Sequence, residues 1–276
     1  MEISRLFDVK GKVAVVTGGG SGIGKMMAMA LVTNGAKVYI ASRKLEVVAQ
    51  VAKELTRMGP GSCFGLQADL SGKKAAVDLA AQIASKEDRI HVLINNSGMS
   101  WGSSLSDFDE QNGWDRLMAL NVKAVFYLTA ALVPLLAKGA DGNIDPARVI
   151  NVSSVAAVQS NAETPLSGPG MGIWSYAASK AAVNQLTRVL SSSLSPENIV
   201  VNAIAPGVFP SRMTKFGIDS AKDLMDMAQP LGRIGSTADM AGLTLFLCSR
   251  SSAHINGAII PIDGGATLGL SAAARL

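Results

Sequence analysis

The chain has 276 residues, of which 48% are hydrophobic and 17% charged, and its net charge is +4. This length and composition suit one folded domain with a large core. The basic residues are scattered singly, which argues against a nucleic-acid partner. The two cysteines and the two histidines are isolated, so neither a disulfide framework nor a metal site is expected, and a Ser-His-Asp triad is disfavoured.

Short apolar runs alternate with longer amphipathic stretches along the whole chain. This alternation predicts an α/β fold, with a seven-stranded, doubly wound parallel sheet covered by helices on both faces and one domain over residues 1–276. The predicted strands are 13–16, 37–40, 63–67, 92–94, 148–152, 199–203 and 258–261. The predicted helices are 22–34, 45–58, 73–85, 111–136, 174–195 and 236–249. Pro134 should bend or close the fourth helix, and no apolar run approaches the length of a membrane span.

A glycine-rich turn follows the first predicted strand, with the sequence Thr17-Gly18-Gly19-Gly20-Ser21-Gly22-Ile23-Gly24. A strand, such a turn and a helix in this order let backbone N–H groups and the positive helix end bind a pyrophosphate. Glycine-rich loops are usually only loops, but this position favours a dinucleotide site. The turn therefore predicts cofactor contacts by Gly18, Ser21, Gly22, Ile23 and Gly24.

The second predicted strand leads into Ser42-Arg43-Lys44, where an acid would grip a ribose 2′-hydroxyl in an NAD site. No acid is present, and a guanidinium can hold a phosphate in a bidentate fork. We therefore predict NADP(H) rather than NAD(H), held through Ser42 and Arg43. The alternative is a solvated helix start with ordinary basic residues.

Tyr176 lies four residues before Lys180. On a helix, positions four apart share one face, so a phenol and an ammonium would lie side by side. A neighbouring cation favours the phenolate and lowers the tyrosine pKa from about 10 toward the working pH. The pair alone is weak evidence of a catalytic acid, because chance also produces it.

Further motifs stand in a fixed order around this pair: Thr17-Gly18-x-x-x-Gly22-Ile23-Gly24, Asp69, Asn95-Asn96-Ser97-Gly98, Asn121, Ser154, Tyr176-x-x-x-Lys180 and Pro206-Gly207. With them the chain resembles the short-chain dehydrogenase/reductase family over almost all of its length. Within that family it is most similar to 3-oxoacyl reductases associated with rhamnolipid biosynthesis, through residues 98–102, 146–151 and 205–214. The resemblance implies a Rossmann fold and an oxidoreductase.

The same resemblance implies a role for each catalytic residue. Tyr176 would protonate the carbonyl oxygen during reduction, while Lys180 would lower its pKa and hold the nicotinamide ribose. Ser154 would polarise the same carbonyl, although the adjacent Ser153 stays open as an alternative. Asn121 would lie in a helix irregularity and hold a water that passes protons toward Lys180. Singly, Ser154 and Asn121 could instead satisfy backbone groups.

The resemblance also implies further cofactor contacts. Asp69, with Leu70 beside it, would bind the adenine, and Asn96 and Gly98 would line the adenosine ribose. The nicotinamide carboxamide would meet Pro206, Gly207 and Val208. Ser211 stands where the family often has a threonine that touches the pyrophosphate.

The step of 22 residues from Ser154 to Tyr176 is longer than is usual in the family. We expect the surplus to form a substrate loop at about residues 159–174, in which Trp174 and Met171 offer apolar surface to the substrate. The alternative is a surface loop without substrate contact. A substrate lid is expected at about residues 208–230.

The function predicted from these residues is NADPH-dependent transfer of hydride to a ketone, such as a 3-oxoacyl thioester or another β-keto compound. The alternatives are oxidation of a secondary alcohol or polyol in the reverse direction, and a catalytically silent nucleotide-binding protein. Reduction of a C=C bond is disfavoured, since relatives with that activity generally alter the tyrosine motif.

The expected partner is a small carbonyl substrate, with neither nucleic acid nor a membrane. The run at residues 256–265 resembles the last strand through which family members form tetramers, so a homo-oligomer, either a tetramer or a dimer, is expected. A cytoplasmic location is expected. In a eukaryote a peroxisomal location is the alternative, because Ala274-Arg275-Leu276 is a variant of the Ser-Lys-Leu peroxisomal signal.

Overall fold

The computed structural model describes residues 2–163, 167–168, 170–227 and 229–268, so the C-terminal tripeptide lies outside the described residues. The strands within these ranges are β1 Val13–Thr17, β2 Lys37–Ser42, β3 Ser62–Gln67, β4 Val92–Asn95, β5 Ala147–Val152, β6 Ile199–Pro206 and β7 Ile259–Ile262. They form one parallel sheet in the order 3-2-1-4-5-6-7. The predicted doubly wound sheet is therefore confirmed. Strand order reverses between β1 and β4, and their carboxyl ends open the crevice where such sheets bind ligands.

The helices are α1 Ile3–Leu6, α2 Gly22–Thr33, α3 Leu45–Thr56, α4 Lys73–Ala84, α5 Arg116–Met118, α6 Ala124–Gly139, α7 Trp174–Leu194, α8 Lys215–Met227 and α9 Thr237–Cys248. They cover both faces of the sheet. Successive residues of each strand point to opposite faces, so each strand contributes side chains to a core on either side. Ala14 and Val16 of β1 pack in the core beneath α2, α3 and α9. Val13 and Val15 pack in the second core, beneath α4, α6 and α7.

The fourth predicted helix is irregular. Two π-helical turns, Glu110–Asp115 and Ala119–Lys123, flank α5 and lead directly into α6. Pro134 lies inside α6, and the helix runs on to Gly139. The expectation that Pro134 could close this helix is wrong. Pro134 is exposed, and so is Ala130, whose carbonyl loses its helical partner, so water can satisfy that group.

Among the described residues, the helical run Glu110–Gly139 has the length and mean hydropathy, 1.7, that a membrane span would require. Its inner face is nevertheless a core face. Leu128, Leu132 and Leu136 are fully buried against the second core. Burial in the α/β core accounts for these apolar residues, since an inward helix face needs them at three- and four-residue spacing.

Sequence analysis did not predict α8, which lies in the region expected to be a substrate lid. Its ion pairs are spaced four residues apart, with 2.8 Å between Lys215 Nζ and Asp219 Oδ2, and Lys222 paired with Asp226. Such pairs favour a helix, and its inner face buries Met225. Sequence analysis assigned this region only to a lid and did not apply hydrophobic periodicity to it.

The amino ends of the strands are held together by buried charge. Arg148 at the start of β5 is fully buried, and its Nη1 lies 2.6 Å from Oδ1 of Asp145 without the alignment of a hydrogen bond. Lys12 donates to the other oxygen of Asp145 at 2.8 Å. His91 Nδ1 accepts the backbone N–H of Val13 at 2.9 Å, and burial together with nearby cations lowers the pKa of His91.

Candidate active site

A cavity of about 580 Å³ opens at the carboxyl ends of the central strands. Most of the predicted site residues line it: Gly18, Ser21, Gly22, Ile23, Ser42, Arg43, Asp69, Leu70, Asn96, Gly98, Ser154, Tyr176, Lys180, Pro206, Gly207 and Ser211. Gly24, Asn121 and Val208 are not among the lining residues. The predicted cofactor turn and the predicted acid thus share one cavity.

The glycine-rich turn needs its glycines for two reasons. Gly18 has φ +66° and Gly22 has φ +54°, a left-handed conformation that side chains disfavour. A Cβ on Gly24 would lie 2.6 Å from the Gly18 carbonyl oxygen, so glycine at this position lets the start of α2 approach the turn closely. The start of α2 has neither a side-chain cap nor an acid in its first turn. Its N–H groups and positive end are therefore left to an anion.

Thr17 joins this turn to the end of β4. Its Oγ1 accepts the backbone N–H groups of Asn96 at 3.0 Å and Ser97 at 2.9 Å. Asn96 donates its side-chain amide to the Thr17 carbonyl at 2.9 Å. A Cβ on Gly18 would lie 2.7 Å from that amide nitrogen. The predicted ribose side of the site is therefore held against the phosphate turn.

A chain of buried amides and hydroxyls runs beneath the cavity. Asn95 on β4 donates to Thr129 Oγ1 at 3.0 Å and to Asn151 Oδ1 on β5 at 2.9 Å. Asn151 in turn donates to Thr187 Oγ1 on α7 at 2.9 Å. Buried polar groups of this kind contribute mainly when all are paired. This network of hydrogen bonds fixes the position of α7, which carries Tyr176, relative to the strands.

Tyr176 and Lys180 stand on one face of α7, as their spacing predicted. Lys180 Nζ lies 5.5 Å from the centre of the Tyr176 ring and donates to the Val152 carbonyl at 2.8 Å. The Ser154 side chain acts on the Tyr176 phenol and lowers its pKa. Ser154 Oγ accepts the Ala156 N–H at 3.2 Å and so caps a short 3₁₀ helix. Ser154 therefore satisfies a backbone group, as the alternative to its catalytic role expected.

Burial governs the pKa values of this pair. Desolvation lowers the pKa of Lys180 from 10.5 to about 8. It raises the pKa of Tyr176, and the Ser154 side chain opposes this effect. The sequence reasoning expected Lys180 to lower the tyrosine pKa, but burial of the phenol outweighs any such effect here. The phenol of Tyr176 is thus protonated at neutral pH, as an acid must be.

Ser153 and Ser154 have different partners. Ser153 is buried and donates to the backbone carbonyl of Lys180 at 3.2 Å. Ser154, not Ser153, is the serine that lowers the pKa of Tyr176, and this favours Ser154 as the active hydroxyl.

Asn121 lies in the second π-helical turn, so the expected helix irregularity is present. Its amide donates to the Met99 carbonyl at 2.9 Å and to Ser179 Oγ at 3.0 Å, and its Oδ1 accepts the Met99 N–H at 2.9 Å. A Cβ on Gly98 would lie 3.3 Å from Asn121 Oδ1 and 3.6 Å from Lys180 Nζ. Both amide hydrogens of Asn121 are engaged, so only an oxygen atom of this residue could hold a water.

The adenosine end of the cavity is basic. Arg43 and Lys44 line it beside Ser42, and Asp69 is the one carboxylate among the lining residues that the structure describes. Arg116 and Arg212 also line the cavity. Sequence analysis gave these two arginines no role, although Arg116 lies in the predicted helix 111–136 and Arg212 in the predicted lid. The net positive lining suits a phosphorylated ligand.

The 159–174 segment packs beside the cavity rather than lining it, as far as the described residues show. Trp174 Nε1 donates to the Ser103 carbonyl at 3.2 Å, and neither Trp174 nor Met171 is a lining residue. The apolar lining comes instead from Met99, Leu120, Phe209 and Met213, which sequence analysis did not predict. Met213 could have been found from its place two residues after Ser211.

A dinucleotide is compatible with these residues. The turn leaves no side chain where a pyrophosphate would meet α2, and a Cβ on Gly22 would fill that cradle, at 3.0 Å from the Ser211 Cβ. No group of three or more His, Cys, Asp or Glu that could hold a metal occurs in the described part of the chain. The cavity thus combines an anion cradle, a paired phenol and a buried ammonium.

Comparisons with known proteins agree with this geometry. A family model described as short chain dehydrogenase matches residues 12–220. A rhamnolipid-biosynthesis 3-oxoacyl-[acyl-carrier-protein] reductase of Pseudomonas aeruginosa is 41% identical over 261 residues, 94% of this chain and 97% of that protein. The solved Pseudomonas aeruginosa RhlG/NADP active-site complex has a TM-score of 0.89 at 39% identity, covering 97% of this chain and 100% of that one. A 7α-hydroxysteroid dehydrogenase of Escherichia coli is 32% identical over 257 residues, 92% of this chain and 94% of that protein. The chain therefore belongs to the short-chain dehydrogenase/reductase family of oxidoreductases, which act on CH–OH and C=O groups with a nicotinamide dinucleotide.

Proposed function

We propose that the protein is an NADPH-dependent reductase of a ketone carbonyl, with a 3-oxoacyl thioester as the favoured substrate class. One observation carries the proposal: Tyr176, Ser154 and the Lys180 ammonium, which lies 5.5 Å from the centre of the Tyr176 ring, line the same cavity as the glycine-rich turn. Hydride chemistry needs such a proton source beside its cofactor.

In this proposal Tyr176 gives its proton to the carbonyl oxygen, and Ser154 donates a second hydrogen bond to the same oxygen. The cofactor supplies the hydride. Lys180 stabilises the phenolate that remains, because its ammonium is still largely charged below its pKa of about 8. Asn121 supports reprotonation through an oxygen atom that holds water. The raised pKa of Tyr176 keeps its phenol protonated near neutral pH, which is the form that reduction requires.

The preference for NADP(H) rests on the end of β2. Ser42, Arg43 and Lys44 line the cavity there without a neighbouring acid on the strand end, and Arg43 is exposed and has no ion pair among the described residues. A guanidinium at that corner suits a 2′-phosphate. The RhlG relative, solved with NADP, supports the same preference. The remaining cofactor contacts are proposed as the sequence motifs assign them.

The substrate class rests on the apolar lip of the cavity. Met99 and Met213 line it, and Met213 is 48% exposed. Methionines adapt to flexible apolar chains, and exposed apolar surface at a cavity mouth is typical of a binding site. The Pseudomonas relative acts on 3-oxoacyl groups carried by a protein, according to its name. Region 208–230, with α8, is proposed as the lid over this substrate.

The experiment is an NADPH-oxidation assay with acyl thioesters of increasing length, a 7-keto steroid and a keto-sugar acid. We expect turnover with 3-oxoacyl thioesters and none in Tyr176→Phe. Activity that Tyr176→Phe leaves unchanged would overturn the mechanism, and a protein that binds NADPH without turning over any ketone would be a nucleotide-binding protein. Arg43→Ala should raise the KM for NADPH about tenfold or more and leave that for NADH unchanged. An unchanged preference would reject the role of Arg43.

We also propose that the protein is a homotetramer. The outer face of α6 is apolar, and Phe126 on it is 43% exposed. The edge strand β7 is only half-buried. A second copy of the chain would cover both surfaces. Light scattering after size-exclusion chromatography should give four chains, while a monomer at micromolar concentration would refute the assembly.

A further inference from the structure

The helix that carries Tyr176 begins without a cap of its own. The residue before α7 is Ile173, which has no side-chain hydrogen bond to the free N–H groups of the first turn. Tyr176 is the third residue of α7, so it lies inside this first turn. Helix ends without caps fray, and a cap contributes about 1 kcal/mol to holding them. Some other contact must therefore hold the acid in place.

Two side chains of the first turn supply that contact by reaching outward. Trp174 Nε1 donates to the Ser103 carbonyl at 3.2 Å. Ser175, which is fully buried, donates its hydroxyl to the Gly113 carbonyl. Ser103 lies in the loop before the first π-helical turn, and Gly113 lies within that turn, Glu110–Asp115.

Ser103 and Gly113, whose carbonyls accept these bonds, are each held in place by further contacts. Ser103 exchanges two backbone hydrogen bonds with Gly172, at 3.2 and 2.9 Å, so the 159–174 segment pairs with it as a short antiparallel bridge. Gly113 has no room for a side chain, since a Cβ there would lie 2.8 Å from the ring of Trp101. The acceptors are thus fixed points rather than free loop carbonyls.

Trp174 also fits closely against the 159–174 segment. A Cβ on Gly172 would lie 2.3 Å from the indole ring, so only glycine lets the segment approach it. The backbone N–H of Ile173 donates to the Ala162 carbonyl at 2.9 Å. Gly172 therefore packs against the Trp174 indole, and a backbone hydrogen bond joins Ile173 to Ala162 near the start of the segment.

We propose that Gly172 and Ile173, in the described end of the 159–174 segment, form a brace for the catalytic acid and that Trp174 is the positioning residue that locks this brace. The inference rests on the proposed role of Tyr176, and it replaces the expectation that Trp174 offers apolar surface to the substrate. Trp174 acts through the first turn of α7 and touches neither carbonyl nor cofactor.

The test compares Trp174→Phe, which keeps an aromatic ring and removes the indole N–H, with Trp114→Phe. Trp114 belongs to the neighbouring π-helical turn, is 44% exposed, and its indole has no hydrogen-bond partner among the described residues. In Trp174→Phe, kcat for ketone reduction should fall about three- to tenfold, the worth of one neutral hydrogen bond. The KM for ketone and the dissociation constant for NADPH, from fluorescence titration, should stay within twofold. Trp114→Phe should match the wild type.

Hydrogen exchange supplies a readout that does not depend on turnover. The backbone amides of residues 177–180 should exchange faster in Trp174→Phe than in Trp114→Phe, because the first turn of α7 opens more often. Ser175→Ala, which removes the second anchor, should give the same pattern. Unchanged exchange and unchanged kcat in Trp174→Phe would overturn the brace. A rise in the ketone KM at constant kcat would instead make Trp174 a substrate contact. Full activity in Tyr176→Phe would refute the proposed function separately, and the exchange result would still decide whether the brace exists.

Discussion

Replacement of Lys180 by methionine should abolish activity and make the protein more stable at neutral pH. The side chain is 4% exposed, and burial lowers its pKa from 10.5 to about 8. The difference between these values corresponds to about 3 kcal/mol lost by the folded state when the ammonium is charged. Methionine removes that cost but leaves the Val152 carbonyl without its donor, which costs about 1 kcal/mol. The net gain is about 2 kcal/mol, which raises Tm by roughly 5 °C.

The pH dependence distinguishes this explanation from simple repacking. Between about pH 8 and 10.5 the unfolded chain holds a proton on Lys180 that the folded protein has released, so wild-type stability rises with pH there. The advantage of Lys180→Met is therefore full below pH 8 and falls as the pH rises. Above about pH 10.5 only the lost hydrogen bond to Val152 remains, so the variant should be less stable than the wild type by about 1 kcal/mol. Thermal unfolding of both proteins across this range, with the exposed Lys86→Met as control, measures it. A variant that is less stable than the wild type at pH 7, or a gap that does not change with pH, would refute the reasoning.

Two further predictions concern the amino ends of the strands. Asp145→Ala leaves the fully buried Arg148 without its carboxylate partner and should lower the free energy of unfolding by about 3–5 kcal/mol. Arg148→Met removes the charge itself and should cost far less in a urea titration; equal losses would contradict this. His91 accepts the Val13 N–H and has a lowered pKa, so its contribution is present above about pH 6.5 and is lost as pH falls through the folded pKa. His91→Gln should flatten that acid limb, and an unchanged limb would exclude His91 as its source.

The sheet could be predicted from the sequence because each buried strand leaves a local signal. The apolar run of β1, for example, is buried on both faces and cannot be mistaken for a surface loop. The helix α8 was not predicted, although ion pairs support it and Met225 on its inner face is buried, because Gly217 near its start is a poor helix former. The course of α6 through Pro134 was equally hidden, because it depends on the exposure of one carbonyl and not on the proline itself.

The site divides in the same way. Tyr176 and Lys180 could be found because helical spacing alone brings them together. Arg116 and Leu120 reach the cavity only through tertiary packing, which no spacing records. The pKa of Tyr176 was misjudged for a related reason. The sequence shows that a cation is near the phenol, but the desolvation that opposes it depends on every atom packed around the ring.

The two halves of the cavity are held in different ways, and this predicts what mutations in each should change. The cofactor half rests on strand ends and a glycine turn, with Thr17 bonded to the backbone of Asn96. The catalytic half rests on side chains that reach backbone groups of irregular segments, as Asn121 does with Met99. Regular structure resists local opening better than irregular segments do. Mutations in the cofactor half should therefore change cofactor affinity, while mutations in the catalytic half should lower kcat. A small displacement of the Tyr176 phenol lowers the rate of proton transfer without changing substrate affinity.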